Sequence, residues 1–148
     1  MLAPLPTEVS PTLPSAELFC VPEADVYKFW PLVSFHVRQA MKRGGISSFD
    51  AVEHAVLAGR NLLWLAADDD RIQAVAITEI NKTEWRKLCL IVACGGADMD
   101  NWLPLISGIE KYARTQGCAA MQIMGRKGWM RKLKDYRTTK IVLEKELM

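Results

Sequence analysis

The chain has 148 residues, half of them hydrophobic and 24% charged, with a formal charge of +2. That length and composition describe a single globular domain able to bury roughly 68–70% of the surface its unfolded form exposes. The charge is too small to name a partner, no apolar run approaches the span of about 18 residues that crosses a membrane, and the first residues lack the basic start and apolar core of a signal peptide, so the protein is expected to work in the cytoplasm.

Residues 1–16, "MLAPLPTEVSPTLPSA", hold four of the seven prolines. Such a segment is neither helix interior nor central strand and is expected to run extended. Its apolar Leu2, Leu5, Val9 and Leu13 give this arm something to bury on its own domain, residues 17–148, or on a neighbour.

A short strand, "LFCVP", opens the domain. From Ala24 to Arg43 the apolar spacing Phe29, Leu32, Val33, Val37, Ala40, Met41 predicts a helix, with Pro31 marking a kink or a late start and Gly44-Gly45 closing it. "SSFDAVEHAVLAG" predicts a second helix, opened by a capping box of Ser47 and Asp50 and stopped at Gly59. The period then changes to that of strands: "NLLWLAA", "IQAVAITEI" and "WRKLCLIVAC" are separated by turns short enough to require an antiparallel meander.

From Asp100 the helical period returns, with Trp102, Leu105, Ile106, Ile109, Tyr112 and Ala113 on one face and Gly117 as the stop. Pro104 is tolerated in the first turn. "AAMQIM" reads as a strand, "KGWMRKLKDY" as a short helix and "TTKIVLEKEL" as a last strand. A strand, a helix and a strand with compact links predict a parallel crossover. The result is an α+β fold: a mixed, mostly antiparallel sheet flanked by about four helices.

Cys20, Cys89, Cys94 and Cys118 contain no close pair at metal-ligand spacing, and His36 and His54 are the only histidines, so no metal site is expected. Between Arg126 and Lys140 seven basic residues (Arg126, Lys127, Arg131, Lys132, Lys134, Arg137, Lys140) stand against Asp135 alone, a local +6 that leaves the remainder at −4. A solvated helix face accounts for such a cluster as readily as an acidic partner does. The five tryptophans are expected to pack, with Trp85, after a turn, the most exposed.

This element order, with "VACGGADMDN" (residues 92–101) as the loop between the fourth strand and the third helix, resembles the GNAT superfamily of acyl-CoA-dependent N-acyltransferases over about residues 17–147. "GRKGWMRKLKDY" followed by "IVLEKEL" also resembles GNAT-like proteins of phage and prophage genomes. In competent members the loop reads Arg/Gln-x-x-Gly-x-Gly/Ala, and its N–H groups with the positive end of the next helix hold the coenzyme A diphosphate. The resemblance assigns that role here to Cys94, Gly95, Gly96, Ala97 and Asn101. The stretch has no arginine or glutamine, and Asp98 and Asp100 stand at the helix entrance, where a carboxylate caps the same N–H groups a phosphate needs and repels its charge.

The family's general acid, a tyrosine of the fourth helix, aligns with Leu133, and its glycine-aromatic pair aligns with Arg137 and Thr138. Tyr136, three residues later, is the nearest candidate. For the base the resemblance offers Glu79 or Glu84, acting on an amine directly or through water.

Two functions follow as expectations. The preferred one is a phage-derived, non-catalytic virion or assembly component that has given up its cofactor and contacts other protein subunits through the arm and the basic patch, in the cytoplasm or a virion. The alternative is an acetyl-CoA-dependent N-acetyltransferase acting on an amine. Direct nucleic-acid binding through the basic cluster is the weakest reading, because no aromatic-basic stacking pattern accompanies it.

Overall fold

The computed structural model describes residues 3–4, 17–44, 48–68, 71–96, 106–124 and 128–147. In chain order the elements are β1 (Ala3–Pro4), β2 (Glu17–Cys20), α1 (Val26–Gly44, entered by a single 3-10 turn, Glu23–Asp25), α2 (Phe49–Leu57), β3 (Leu62–Asp68), β4 (Arg71–Lys82), β5 (Lys87–Gly96), α3 (Ile106–Thr115), β6 (Ala120–Ile123) and α4 (Gly128–Lys132). The six strands form one sheet in sequence order, antiparallel from β1 to β5 and parallel between β5 and β6. This is the α+β arrangement expected. Ala3–Pro4 pair with Phe19 and Cys20; the other residues of the arm lie outside the described residues.

Strand alternation divides the core into two layers. Leu63, Leu65, Val75, Ile77 and Ala93 face Val26, Trp30, Val33, Val37 and Met41 of α1 and Val52 and Val56 of α2. On the opposite face Trp64, Ala66, Ala74, Ala76, Cys89 and Ile91 meet Ile106, Ile109 and Ala113 of α3 and Leu133. The α1 stripe begins one turn earlier than the sequence implied. Val26 and Trp30 are buried, whereas Leu32 is exposed, because Pro31 sits inside the helix rather than starting it.

Both predicted glycine stops hold. The Gly59 N–H donates to the Val56 carbonyl and that of Arg60 to Ala55; Gly117 and Cys118 repeat the pattern on Arg114 and Ala113. These are Schellman closures, with φ of 81° at Gly59 and 77° at Gly117, where a side chain is strained. The capping box is corrected: Ser48 occupies the N-cap without a side-chain bond, and Ser47 lies outside the described residues.

The larger correction concerns the C-terminal strand. Residues 137–147 join no strand or helix and are exposed. The alternating pattern of "TTKIVLEKEL" is present, yet among the described residues the sheet ends at β6.

Candidate active site

The chemistry of this fold can be placed where two parallel strands part. β5 and β6 pair from Leu88 with Ala120 to Ile91 with Ile123. β5 then continues to Gly96, held on the other side by β4 from Ile77 with Ala93 to Ala74 with Gly96. From residue 92 onward one edge of β5 therefore has no strand partner among the described residues.

A bulge marks the start of this gap in the pairing. Ile77 pairs with Ala93 and Thr78 with Ile91, so Val92 is an extra residue. The insertion reverses the strand's alternation. Before it, odd positions Cys89 and Ile91 face α3; after it, Ala93 faces α1 and Cys94 turns to the α3 side. Ile91, Cys94, Ile123, Leu133 and Tyr136 belong to one cluster beside the opening.

Gly95 and Gly96, at the end of β5, have packing reasons to be small. A Cβ on Gly95 would lie 3.3 Å from the Ala40 Cβ and from the His36 carbonyl oxygen of α1. One on Gly96 would meet the Gln73 carbonyl oxygen at 2.5 Å and Ala74 at 2.8 Å. Cys94, Gly95 and Gly96 thus end β5 in close contact with α1 and β4. Ala97 and Asn101, with Asp98 and Asp100, lie outside the described residues.

Tyr136 follows α4 in a turn closed by its own N–H on the Leu133 carbonyl. Its hydroxyl donates to Glu110 Oε2 of α3 at 2.5 Å. Burial, and then the hydrogen bond to that carboxylate, push the phenol far above its usual range, so it stays protonated throughout the neutral range. Leu133, the position aligned with the family's tyrosine, is buried in the core. Glu110 was not among the sequence candidates: its partner is 26 residues away, and a glutamate flanking an apolar helix stripe carries no local signal.

The two candidate bases separate. Glu79 is exposed on β4 opposite Leu90, level with the end of the β5–β6 pairing but across β5 from the gap. Glu84 lies in the turn joining β4 to β5, closed by the Thr83 N–H on the Arg86 carbonyl. Lys87, where β5 begins, is four residues from Ile91, roughly 13 Å along the strand, so Glu84 sits at the wrong end of the hairpin. Trp85, beside it, is 84% exposed, as expected.

Burial disfavours the thiolate at Cys20, Cys89 and Cys94. All four cysteines are free; burial raises Cys20 and Cys89 to about 11 and Cys94 further still. Among the described residues no group of three or more potential ligands can hold a metal ion, and no helix is long and apolar enough to cross a membrane. Of the basic patch, Arg131, Lys132, Lys134 and Arg137 are exposed; Arg126 and Lys127 lie outside the described residues.

No protein-family model and no curated protein matches the sequence. Solved structures do match. An aminoglycoside acetyltransferase from an uncultured soil metagenomic sample, in complex with sisomicin, aligns with 90% of this chain and 97% of its own at a TM-score of 0.61 and 14% identity. A predicted acetyltransferase with acetyl-CoA from Clostridium acetobutylicum covers 88% and 96% at 0.62 and 12%. A GNAT family acetyltransferase of Staphylococcus aureus covers 90% and 99% at 0.60 and 12%. The chain has the GNAT fold. These neighbours are acetyltransferases, which overturns the preferred expectation of a non-catalytic phage component and favours the enzymatic alternative. The expectation that no cofactor is used has no support, since one neighbour carries acetyl-CoA.

Proposed function

We propose that the protein is an acetyl-CoA-dependent N-acetyltransferase acting on a primary amine. The observation that carries this reading is the release of β5 from β6 after Ile91, with the Val92 bulge at that point. An unpaired strand edge suits the amide-bearing arm of coenzyme A, which needs donors and acceptors at peptide spacing. Exposed Arg131, Lys132, Lys134 and Arg137 supply positive charge for its phosphates. Acetyl-CoA, when bound, brings an activated thioester acyl group.

The chain's own residues divide the remaining work. Backbone groups of residues 92–96 hold and orient the cofactor arm. Glu79, level with the end of the β5–β6 pairing, accepts the proton of the incoming ammonium directly or through one water. Tyr136 keeps its proton on Oη, and Glu110 fixes the direction of that O–H bond. Acetyl-CoA bound in the gap would pass its acyl group to the amine, the C–S bond breaking as the C–N bond forms, and the departing sulfur would take its proton from Tyr136 Oη.

Titration calorimetry with millimolar acetyl-CoA tests the reading: micromolar binding is expected, and the absence of both heat and a thermal shift ends it. With binding in hand, thiol release in the presence of aminoglycosides and simple polyamines reports turnover. Glu79→Gln and Tyr136→Phe are each expected to lower kcat by roughly 10²-fold while leaving acetyl-CoA affinity within a factor of about three. Gly95→Glu is a poor probe, because its side chain must displace α1.

A further inference from the structure

The outward face of α1 is apolar where a surface helix is ordinarily polar. Val26, Trp30, Val33, Val37 and Met41 are buried in the core, which seats the helix on the sheet. On the opposite side Tyr27, Leu32 and Phe35 are 66%, 64% and 63% exposed, and Pro31 among them is exposed too. At about 100° per residue these four fall within an arc of about 140°. Apolar residues scattered singly over a surface are ordinary, whereas four on one face of one helix mark a surface that meets something.

The charge on that face says what it meets. α1 runs 19 residues without an aspartate or glutamate and holds Lys28, Arg38, Lys42 and Arg43, a charge of +4 in a chain whose total is +2. Lys28, Arg38 and Lys42 are exposed, and at about 100° per residue all three fall inside the same arc as the apolar four. Their contacts within the chain leave them available. Lys28 lies 3.4 Å from Asp25, a surface pair of little strength. The Arg38 guanidinium lies over the Phe49 ring, 4.1 Å from its centroid, an arrangement that occupies its plane and not its N–H donors.

Cations and apolar side chains therefore interleave along one convex ridge, about 21 Å from Lys28 to Lys42 at 1.5 Å per residue. A protein groove would have to match each cation with an acid while burying the rings between them. A lipid interface satisfies both kinds at once: phosphates take the charges at the ends of their long stems, and the boundary of the acyl region takes the apolar groups just below. Tyrosine is suited to that depth. We propose that the outward face of α1 docks the protein on an anionic membrane surface, Tyr27, Leu32 and Phe35 entering the headgroup layer and Lys28, Arg38 and Lys42 meeting its phosphates. So few side chains make a shallow, reversible contact that negative lipid strengthens and salt weakens. The proposal is independent of whether the protein binds acetyl-CoA.

Flotation of the full chain with vesicles of phosphatidylcholine alone, or of phosphatidylcholine with an equal part of phosphatidylglycerol, is the test, at about 0.05 M and about 0.3 M salt. The protein is expected to float with the anionic vesicles at low salt, to stay behind with the neutral ones, and to lose most of its binding at high salt. Leu32→Ser/Phe35→Ser and, separately, Lys28→Glu/Lys42→Glu should each weaken binding at least about 10-fold. All four side chains are exposed, so the melting temperature of both variants should match that of the parent chain. Lys82→Glu/Arg86→Glu makes the same charge change on the exposed β4–β5 hairpin and should leave binding within about two-fold. No flotation with the anionic vesicles overturns the proposal, as does equal flotation with the neutral ones. Binding that survives both α1 variants, or that falls as far in the hairpin variant, overturns it too, because the contact then lies elsewhere or is set by overall charge. Failure to float, with binding instead to a synthetic amphipathic helix of glutamate and leucine, overturns the lipid assignment and gives the face to an acidic protein.

Discussion

At the scale of the residue, the sequence identifies side-chain types more readily than their partners. Trp64 is legible as a core tryptophan, but its indole N–H is satisfied by Thr78 Oγ1 at 2.8 Å, fourteen residues away on the next strand, with both groups buried. Nothing local announces that bond, and the same holds for Tyr136 with Glu110. The pair makes a measurable prediction. Trp64→Phe leaves a buried hydroxyl without its donor, and Thr78→Val leaves a buried N–H without its acceptor; each should cost about 1–3 kcal/mol, the tryptophan somewhat more for lost volume. Together they remove both orphans, so the double variant should be more stable than the sum of the two losses by about 1 kcal/mol. Urea denaturation of the four proteins gives that coupling directly, and simple additivity would mean the bond contributes nothing.

At the scale of the element, periodicity and turn chemistry recover nearly every helix and strand, because those signals are local. The glycine stops are correct since only a residue tolerating positive φ closes a Schellman turn. The bulge at Val92 is not legible, since "LCLIVAC" is apolar at every position and offers no alternation to be interrupted. The last strand fails for the opposite reason: its alternation is real, and pairing depends on an edge elsewhere. The bulge can be tested by removing its extra residue. Deleting Val92 should restore a regular ladder with Ala93 and Gly95 still toward α1 and Cys94 still toward α3, so the domain should fold while the local bend beside the gap, and acetyl-CoA binding with it, is lost. Val92→Ala keeps the count of residues and should cost only about 1–2 kcal/mol for the methyl groups lost. A deletion variant that binds acetyl-CoA as well as Val92→Ala does would show that the gap is not set by the bulge.

At the scale of the whole molecule, the two layers on either side of the sheet differ in chemistry. The α1–α2 layer sets aliphatic side chains around Trp30, Phe29 and Phe49, whereas Cys20, Cys89, Cys94 and Cys118 all gather in the α3 layer around Trp64 and Tyr112. The topology assembles this from four separated positions, which is why cysteine spacing along the chain says nothing of it. Burial favours the neutral form of three of them: Cys20 and Cys89 are pushed up to about 11 and Cys94 is raised too, as are Tyr112 and Tyr136. An unfolded thiol titrates near 8.5 and a tyrosine near 10. Between those values and the folded ones the native state binds more protons than the unfolded state, so stability falls as pH rises. The contribution is fully present below about pH 8.5 and declines from there through pH 11, with the tyrosines adding to the loss above about pH 10. Under reducing conditions the melting temperature should therefore be level with respect to these groups from pH 7 to 8 and drop steadily from pH 9 to 11. Replacing Cys20 and Cys89 by alanine should lower the melting temperature at pH 7 while making the alkaline slope shallower. An unchanged slope in that variant would assign the alkaline loss to other groups and remove the thiol layer from the account of stability.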